Sequence, residues 1–505
     1  MQLDRAGNAK RNIAYGMLYR VTFIVLPFVT RTVMERVIGV EYLGLNSLFN
    51  SILSVLSLAE LGFSSAIVYS MYKPVAENDV AKLSALLNYY KKMYRYIGLA
   101  ILLAGIAIAP FLPRLVNNSC PDNVNLYVLY FIYLGNTVVS YLMYAYLSAL
   151  TAAYQRVDVT SKVNLVITIA LNLSQIVALI VFRSYYAYAI LIPVFTVLNN
   201  ISVAIIVRKM YPNITCKGSL AEDIKRDIIQ KVKGLMVYKL CLTSRNAFDS
   251  IVISAFIGLS VTAIYNNYFY IINAVASLSS IVTSAITAGV GNSIVVESKQ
   301  KNYNDLCRFN FLYMWASGWC TVCLTCLTQP FMKIWMGEYL TFPMPMVFLF
   351  CAYFYVLRMG EIRATYVEAC GLWWEHRHRA IIESISNLVL NVVLCRFYGA
   401  YGVIIATLLT LFIINFCLGS RLLFKYYFTE QPLSQYFVQH FFYMATTAVA
   451  CILTYWLCSL IEGGLWMVLI VRGLICCVVP NIIYLAVYSR YKLGRESVIW
   501  LKHTL

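Results

Sequence analysis

Two opposite charges stand one helical turn apart inside an apolar stretch, LCLTSRNAFDSIVIS, which begins at Leu240. They are Arg245 and Asp249, and a four-residue spacing places both on one face of a helix, where they can pair. Arginine binds carboxylate and phosphate groups as a two-pronged fork, and a desolvated carboxylate beside it can hold and release a proton or Na⁺. The spacing predicts either a structural ion pair or a site at which an anion competes for the arginine.

Further charges interrupt other apolar runs, and each costs about 2.5–3.5 kcal/mol at the centre of a bilayer unless it is paired or hydrated. They are Arg20, Arg31, Glu60, Arg358, Glu361, Arg363 and Arg472. Arg20 and Arg31 are eleven residues apart and share a helical face, with Pro27 bending the helix between them. Arg358 and Glu361 are one turn apart and can neutralise each other.

From these positions we expect a cationic site for an anionic group, with arginines facing a polar cavity. The expected binding residues are Arg20, Arg31, Arg245 and Arg358. Glu60, Asp249 and Glu361 are the expected coupling or ion-pair residues. Structural ion pairs between helices are the alternative for the spaced pairs, and Arg472 can simply mark the end of a span.

The composition dictates which elements must position these charges. Hydrophobic residues make up 61% of the 505-residue chain and charged residues only 12%. Apolar runs of about 20 residues recur from end to end and predict about fourteen spans. Lipid offers the backbone no hydrogen-bond partner, so the spans must be helical, and the short alternating segments of a membrane β-barrel do not occur. The sequence therefore predicts an all-α polytopic membrane protein.

The formal net charge of +18 could suggest a nucleic-acid partner, but the placement of the 40 Lys and Arg residues argues against one. Even-numbered loops and both termini collect most of them, including Lys91, Arg208, Arg377 and Arg379. The opposite loops keep about five, namely Arg36, Arg114, Arg183, Lys333 and Arg396. This asymmetry predicts a multi-pass protein with both termini in the cytoplasm. The first apolar run is too long for a signal-peptide core and lacks a cleavage site, so it should remain as helix 1.

The cysteines, aromatics and loops give little reason to expect catalysis. Most of the fifteen cysteines, such as Cys320, Cys323, Cys326, Cys476 and Cys477, fall inside spans and are expected to act as small apolar residues. The 40 tyrosines fit interfacial belts and helix packing better than sugar stacking, and WWEHRH from Trp373 fits a membrane-interface anchor. No nucleophile with a base, phosphate loop or metal cluster stands out, so we expect neither an enzyme nor a bound metal.

One connection, YPNITCKGSLAEDIKRDIIQKVKGL from Tyr211, has a helical pattern of its own. Ser219 and Glu222 have the spacing of a capping box, and the basic amphipathic helix that follows is typical of segments lying on the inner leaflet. A loose repeat, IGVEYLGLNSLFNSIL from Ile38 and IGLSVTAIYNNYFYII from Ile257, supports two related halves. The predicted parts are an N-terminal lobe (1–210), a linker (211–234), a C-terminal lobe (235–425) and a final helix pair with a tail (426–505).

Three segments together resemble the Wzx-type polysaccharide repeat-unit flippases of the multidrug/oligosaccharidyl-lipid/polysaccharide (MOP) exporter superfamily. They are SLAELGFSSAIVYSMYKPVAENDVAKLSALLNYYKKMYRYIG from Ser57, FMKIWMGE from Phe331, and the stretch from Tyr366 that carries Gly371, Arg377, Glu383, Asn387, Gly399, Gly402 and Thr407. The resemblance implies two pseudo-symmetric six-helix lobes around a central cavity plus two C-terminal helices, working by alternating access.

The resemblance also implies a substrate and a place in the cell. Relatives carry an undecaprenyl-diphosphate-linked oligosaccharide from the cytoplasmic to the periplasmic leaflet of the bacterial inner membrane, for O-antigen or capsule synthesis, and hold the acidic headgroup with arginines in the cavity. The implied partners are this lipid-linked substrate, membrane lipids and other polysaccharide assembly proteins, with no cofactor beyond coupling to H⁺ or Na⁺. A cation-coupled drug exporter of the same superfamily is the main alternative, and a membrane polysaccharide polymerase or ligase is a more distant one.

Overall fold

The computed structural model describes residues 5–57, 63–116, 120, 121, 123–372 and 374–497, and this part of the chain is helical and contains no β-strand. The first helices are α1 (Arg5–Ile38), α2 (Val40–Leu56), α3 (Phe63–Glu77), α4 (Val80–Ile108), α5 (Leu112–Leu115), α6 (Leu126–Leu142), α7 (Ser148–Ala153), α8 (Val157–Phe182) and α9 (Tyr185–Met210). The remaining helices are α10 (Glu222–Phe256), α11 (Leu259–Val296), α12 (Lys299–Met336), α13 (Met344–Met359), α14 (Glu361–Ala369), α15 (Arg377–Tyr398), α16 (Ala400–Thr410), α17 (Gly419–Tyr426), α18 (Leu433–Ser459) and α19 (Leu465–Tyr488).

The all-helical membrane fold expected from the composition is confirmed. Within the described ranges, nine helical segments are long and apolar enough to cross a membrane. They become ten if α6 and the segment Tyr144–Ala153, bent by 43° against it, count as one span. The total of fourteen spans stays a prediction.

Helix α10 differs from its predicted beginning. It starts at Glu222 after Ala221, whose side chain makes no capping hydrogen bond, so the predicted capping box at Ser219 is wrong. Glu222 and Asp223 occupy the first turn instead, where negative charge is stabilised by the positive end of the helix dipole. The helix then continues for 35 residues without a break, so the predicted amphipathic segment and the helix carrying Arg245 are one rod, about 52 Å long.

The chain forms two compact units, Met1–Ala263 and Ile264–Leu505. In the first unit, α8 packs against α1 and α9, and α10 packs against α2, α3 and α5. In the second, α12 packs against α18 and α19, and α15 packs against α16. The lobe and linker boundaries predicted from the sequence stay predictions.

The core of the second unit is rich in aromatic side chains. Phe311 of α12 meets Tyr443 of α18 and Tyr488 of α19, with ring centroids 5.8 and 5.0 Å away. Edge-to-face contacts of this kind add to the free energy gained from burying the rings. The final helix pair is therefore an integral part of this core.

Candidate functional site

The Arg245–Asp249 pair lies deep inside the first unit. Both residues are on α10, and only 4% of Arg245 and 1% of Asp249 is exposed. Ser254, five residues beyond Asp249, donates a hydrogen bond of 2.7 Å to the carbonyl of Leu115 and fixes α10 against α5. The helix thus holds a cation and an anion one turn apart where water is excluded, and each has an interaction partner.

Arg31 belongs to a second polar cluster of the same unit. It is half-buried on α1, and its charge acts on the phenols of Tyr185 and Tyr188 on α9. The hydroxyl of Tyr133 on α6 donates a hydrogen bond of 2.8 Å to Asn46 of α2 and lies 2.9 Å from the hydroxyl of Tyr185. Three helices therefore place phenol and amide groups near one guanidinium on a fourth helix, a combination able to bind phosphate oxygens or sugar hydroxyls.

Arg20 and Glu60 complete the predicted residues of the first unit. Arg20 lies on α1, three turns before Arg31, and its side chain is exposed and makes an interaction. Pro27 lies inside the helix between the two arginines, as the sequence indicated. Glu60 falls outside the described residues.

Arg358 and Glu361 form the ion pair that their spacing predicted. Arg358 is buried at the end of α13, and its Nη2 lies 3.3 Å from the Glu361 carboxylate at the start of α14. Its Nη1 donates a hydrogen bond of 3.3 Å to the hydroxyl of Tyr313 on α12. The guanidinium therefore links three helices of the second unit.

A larger charge network in the second unit was not among the predicted site residues. Nη1 of Arg379 donates a hydrogen bond of 2.7 Å to Oε2 of Glu383. The amide of Asn415 donates to both oxygens of Glu383, at 3.1 and 2.9 Å, and its own oxygen accepts a hydrogen bond of 2.9 Å from Arg363. The side chains of Arg379 and Glu383 are only 2% and 3% exposed. We call these four residues the Arg363–Glu383 network.

Two features of the helices make room for this network. Residues Leu411–Leu418, between α16 and α17, form a π-helical segment that contains Asn415. At Gly419, a Cβ atom would collide with the guanidinium of Arg363, so the glycine leaves space for the arginine. Wide π-turns are frequent where a side chain must be placed precisely for function.

His376 lies beside the network, just before α15. Burial and then the positive charges of Arg363 and Arg379 lower its pKa to about 3. The imidazole is therefore neutral at physiological pH, and the two arginines gain no further positive neighbour from it. A proton added to His376 would cost free energy for both reasons.

The sequence did carry a signal for this network. Arg379 and Glu383 have the same four-residue spacing as Arg245 and Asp249. The spacing did not indicate burial. Arg379 directly follows the polar stretch WWEHRH, and its charge was assigned to one of the even-numbered loops, on the predicted cytoplasmic side. Asn415 carries no charge and gave no signal.

No family model and no curated protein matches the sequence. Among solved structures, the chain is similar to the lipid II flippase MurJ in an inward closed conformation, with 16% sequence identity and a TM-score of 0.65, over 95% of this chain and 99% of that one. It is also similar to an inward-facing multidrug resistance MATE family transporter of the MOP superfamily, with 12% identity and a TM-score of 0.57, over 80% of this chain and 97% of that one. A third similar structure is the Vibrio cholerae MATE transporter VcmN, with 12% identity and a TM-score of 0.55, over 86% of this chain and 100% of that one. At these identities the likeness concerns the fold, and the protein has the fold seen in this flippase and in MATE transporters.

Proposed function

We propose that this protein is a flippase that moves an oligosaccharide linked to undecaprenyl diphosphate from the cytoplasmic to the periplasmic leaflet of a bacterial inner membrane. The observation that carries the proposal is the fold likeness to the lipid II flippase, which extends over 95% of this chain. The likeness to the two MATE transporters covers less of it, 80% and 86%. Movement would follow alternating access, with both termini in the cytoplasm.

The chemistry of the substrate fits the arginines that interrupt the apolar helices. A diphosphate headgroup is anionic and accepts paired hydrogen bonds, which the planar guanidinium donates better than a lysine ammonium does. We assign headgroup binding to Arg20, Arg31, Arg245 and Arg358. Glu60, Asp249 and Glu361 are the proposed coupling residues for H⁺ or Na⁺, and no other cofactor is proposed.

The Arg31 cluster suits the saccharide part of such a substrate. Phenol and amide groups from three helices lie near Arg31, so a phosphate oxygen at the guanidinium would bring sugar hydroxyls within reach of hydrogen-bonding groups. Surface polysaccharide synthesis is the proposed pathway class, with other assembly proteins as partners.

A cation-coupled drug exporter is the second candidate, favoured by the likeness to MATE transporters and by the buried carboxylate of Asp249. The two functions differ in the charge of the transported molecule, which is an anionic lipid-linked oligosaccharide for the flippase and a cationic drug for the exporter. A cationic drug would require an acidic site that stays unpaired, whereas Asp249 lies one turn from the buried Arg245.

The function is tested by deleting the gene in a bacterium that makes a defined surface glycan. We expect lipid-linked repeat units to accumulate in the inner leaflet, with loss of surface glycan and no change in drug sensitivity. Normal glycan export in the deletion strain would refute the flippase. Increased drug sensitivity alone would favour the exporter.

The site is tested by replacing Arg245 with alanine in protein reconstituted into vesicles with a fluorescent lipid-linked oligosaccharide. We expect Arg245→Ala to lower the transport rate at least tenfold, because a lost charged hydrogen bond is worth about 1.5–3 kcal/mol. The matched control is Arg114→Ala, at an exposed position on α5 of the same unit. Folded Arg245→Ala protein with undiminished transport would remove Arg245 from the site.

A further inference from the structure

Three cysteines from three helices meet inside the second unit. They are Cys326 of α12, Cys458 of α18 and Cys476 of α19, and their sulfur atoms all lie within 4.8 Å of one another. Their exposed fractions are 1%, 0% and 0%. We call these residues the three-cysteine cluster.

The spacing of the sulfurs fits a metal ion. A zinc ion binds thiolate sulfur at about 2.3 Å, so three sulfurs around one ion lie about 4 Å apart. The cluster already places its three donors within 4.8 Å, and side-chain adjustments would close the difference. Thiolates select thiophilic ions over the hard ions Mg²⁺ and Ca²⁺.

Arg472 on α19 supplies a positive charge at this position. Its guanidinium acts electrostatically on Cys458 and Cys476, and its Nε is buried with no hydrogen-bond partner among the described residues. Neutral thiols cannot balance this positive charge. A thiolate–metal complex carrying one negative charge can.

A cavity gives an ion access to the cluster. It has a volume of about 380 Å³ and is lined by Cys326 and Arg472, together with Lys333, Glu462 and others near the turn between α18 and α19.

We propose that Cys326, Cys458 and Cys476 bind a thiophilic metal ion, Zn²⁺. Binding converts three thiols to thiolates and releases three protons, so the ion and its ligands carry a net charge of −1, which Arg472 balances. The site ties α12 to α18 and α19, and it is independent of the transported substrate. The sequence predicted an apolar role for most cysteines because they lie inside predicted spans.

The proposal is tested on the full-length protein purified in detergent, loaded with Zn²⁺ and desalted, with bound metal measured by inductively coupled plasma mass spectrometry. We expect one Zn²⁺ per wild-type chain and its loss in Cys326→Ser, Cys458→Ser and Cys476→Ser. Cys477→Ser is the matched control, because Cys477 is the adjacent residue but is exposed. Zn²⁺ retained by Cys476→Ser as fully as by Cys477→Ser would overturn the proposal.

A second measurement on the wild-type protein covers the case in which the variants do not fold. Alkylation of each cysteine is followed by peptide mass spectrometry with and without Zn²⁺. We expect Zn²⁺ to protect the three ligands and leave Cys477 reactive. Equal alkylation in both conditions, or a disulfide between members of the cluster, would refute metal binding.

Discussion

At the scale of single residues, the second unit buries opposite charges that are satisfied by each other and by an amide. Glu383 accepts hydrogen bonds from Arg379 and from Asn415, which in turn accepts one from Arg363. Taking charges out of water is costly, and the cost is offset only where the partners are well placed. Loss of one partner then leaves the others buried and uncompensated.

We therefore expect Glu383→Gln to destabilise the protein by about 3–5 kcal/mol, the range found when one member of a buried ion pair is removed. The melting temperature of the purified protein measures the effect. Glu297→Gln is the matched control, because Glu297 forms an ion pair with Lys301 at the same four-residue spacing on an exposed surface. Equal melting temperatures for the two variants would show that the network contributes little to stability.

Residue spacing predicted some of the contacts that these charged side chains make and did not predict others. The pairing of Arg358 with Glu361 followed from one turn of helix, and the structure confirms it at 3.3 Å. The contact between Arg363 and Asn415 joins residues 52 positions apart, and no local pattern encodes it. Long-range polar contacts depend on how helices pack, which one sequence read by itself does not reveal.

At the scale of elements, the hairpin between α15 and α16 depends on two glycines. Gly399 has a φ of 56°, in the left-handed region that glycine adopts without strain, and it ends α15. Three residues later, a Cβ on Gly402 would collide with the backbone carbonyl of Leu394. The two helices can therefore pack closely only with a glycine at position 402.

We expect Gly402→Ala to lower stability by about 1–3 kcal/mol, since the added methyl must displace backbone. The matched control is Gly135→Ala within α6, where a Cβ meets no atom within 4 Å. Alanine has a higher helix propensity than glycine. The control variant should therefore be as stable as the wild type or more stable by about 0.5–1 kcal/mol. Thermal unfolding in detergent distinguishes them, and a Gly402→Ala protein as stable as Gly135→Ala would contradict the close packing.

Element positions were easier to predict than element boundaries. Long apolar runs fix where a membrane helix must lie, because lipid forces every backbone group into an internal hydrogen bond. The start of α10 was missed because Ser219 matched a capping motif, while the acidic residues Glu222 and Asp223 stabilise the actual first turn. Neither the bend between α6 and Tyr144–Ala153 nor the π-helical segment was foreseen.

At the scale of the whole molecule, the final helix pair completes the second unit. Helices α18 and α19 cover α12, with Phe311, Tyr443 and Tyr488 in the shared core. The nitrogen of Trp319 on α12 also donates a hydrogen bond of 2.8 Å to the carbonyl of Cys476 on α19. Without the pair, an aromatic face of α12 would lose its packing partners.

We expect a chain truncated after Tyr427 to be poorly expressed or polydisperse, because the exposed face of α12 loses the burial of several large rings, each worth about 1.5–3 kcal/mol. Size-exclusion chromatography of a fluorescent fusion measures this. A monodisperse truncated protein of unchanged stability would show that the pair is an accessory.

The fold class followed from composition and the length of apolar runs, but the candidate sites followed only in part. The Arg245–Asp249 pair was singled out from its spacing, and both residues are buried, while their part in binding stays a prediction. The three-cysteine cluster joins residues 326, 458 and 476, whose meeting depends on the packing of α12 with α18 and α19. No local pattern in the sequence brings these three cysteines together.

The π-helical segment at Leu411–Leu418 has a consequence for aligning this chain with others. A π-turn accommodates one residue more than an α-turn, and each residue of an α-helix turns by about 100°. Residues from Gly419 onward therefore point about 100° away from where an uninterrupted α-helix would direct them. An alignment that carries no single-residue gap here would shift α17 by one residue, and its buried residues Ser420 and Phe424 would be paired with positions equivalent to the exposed Arg421 and Lys425.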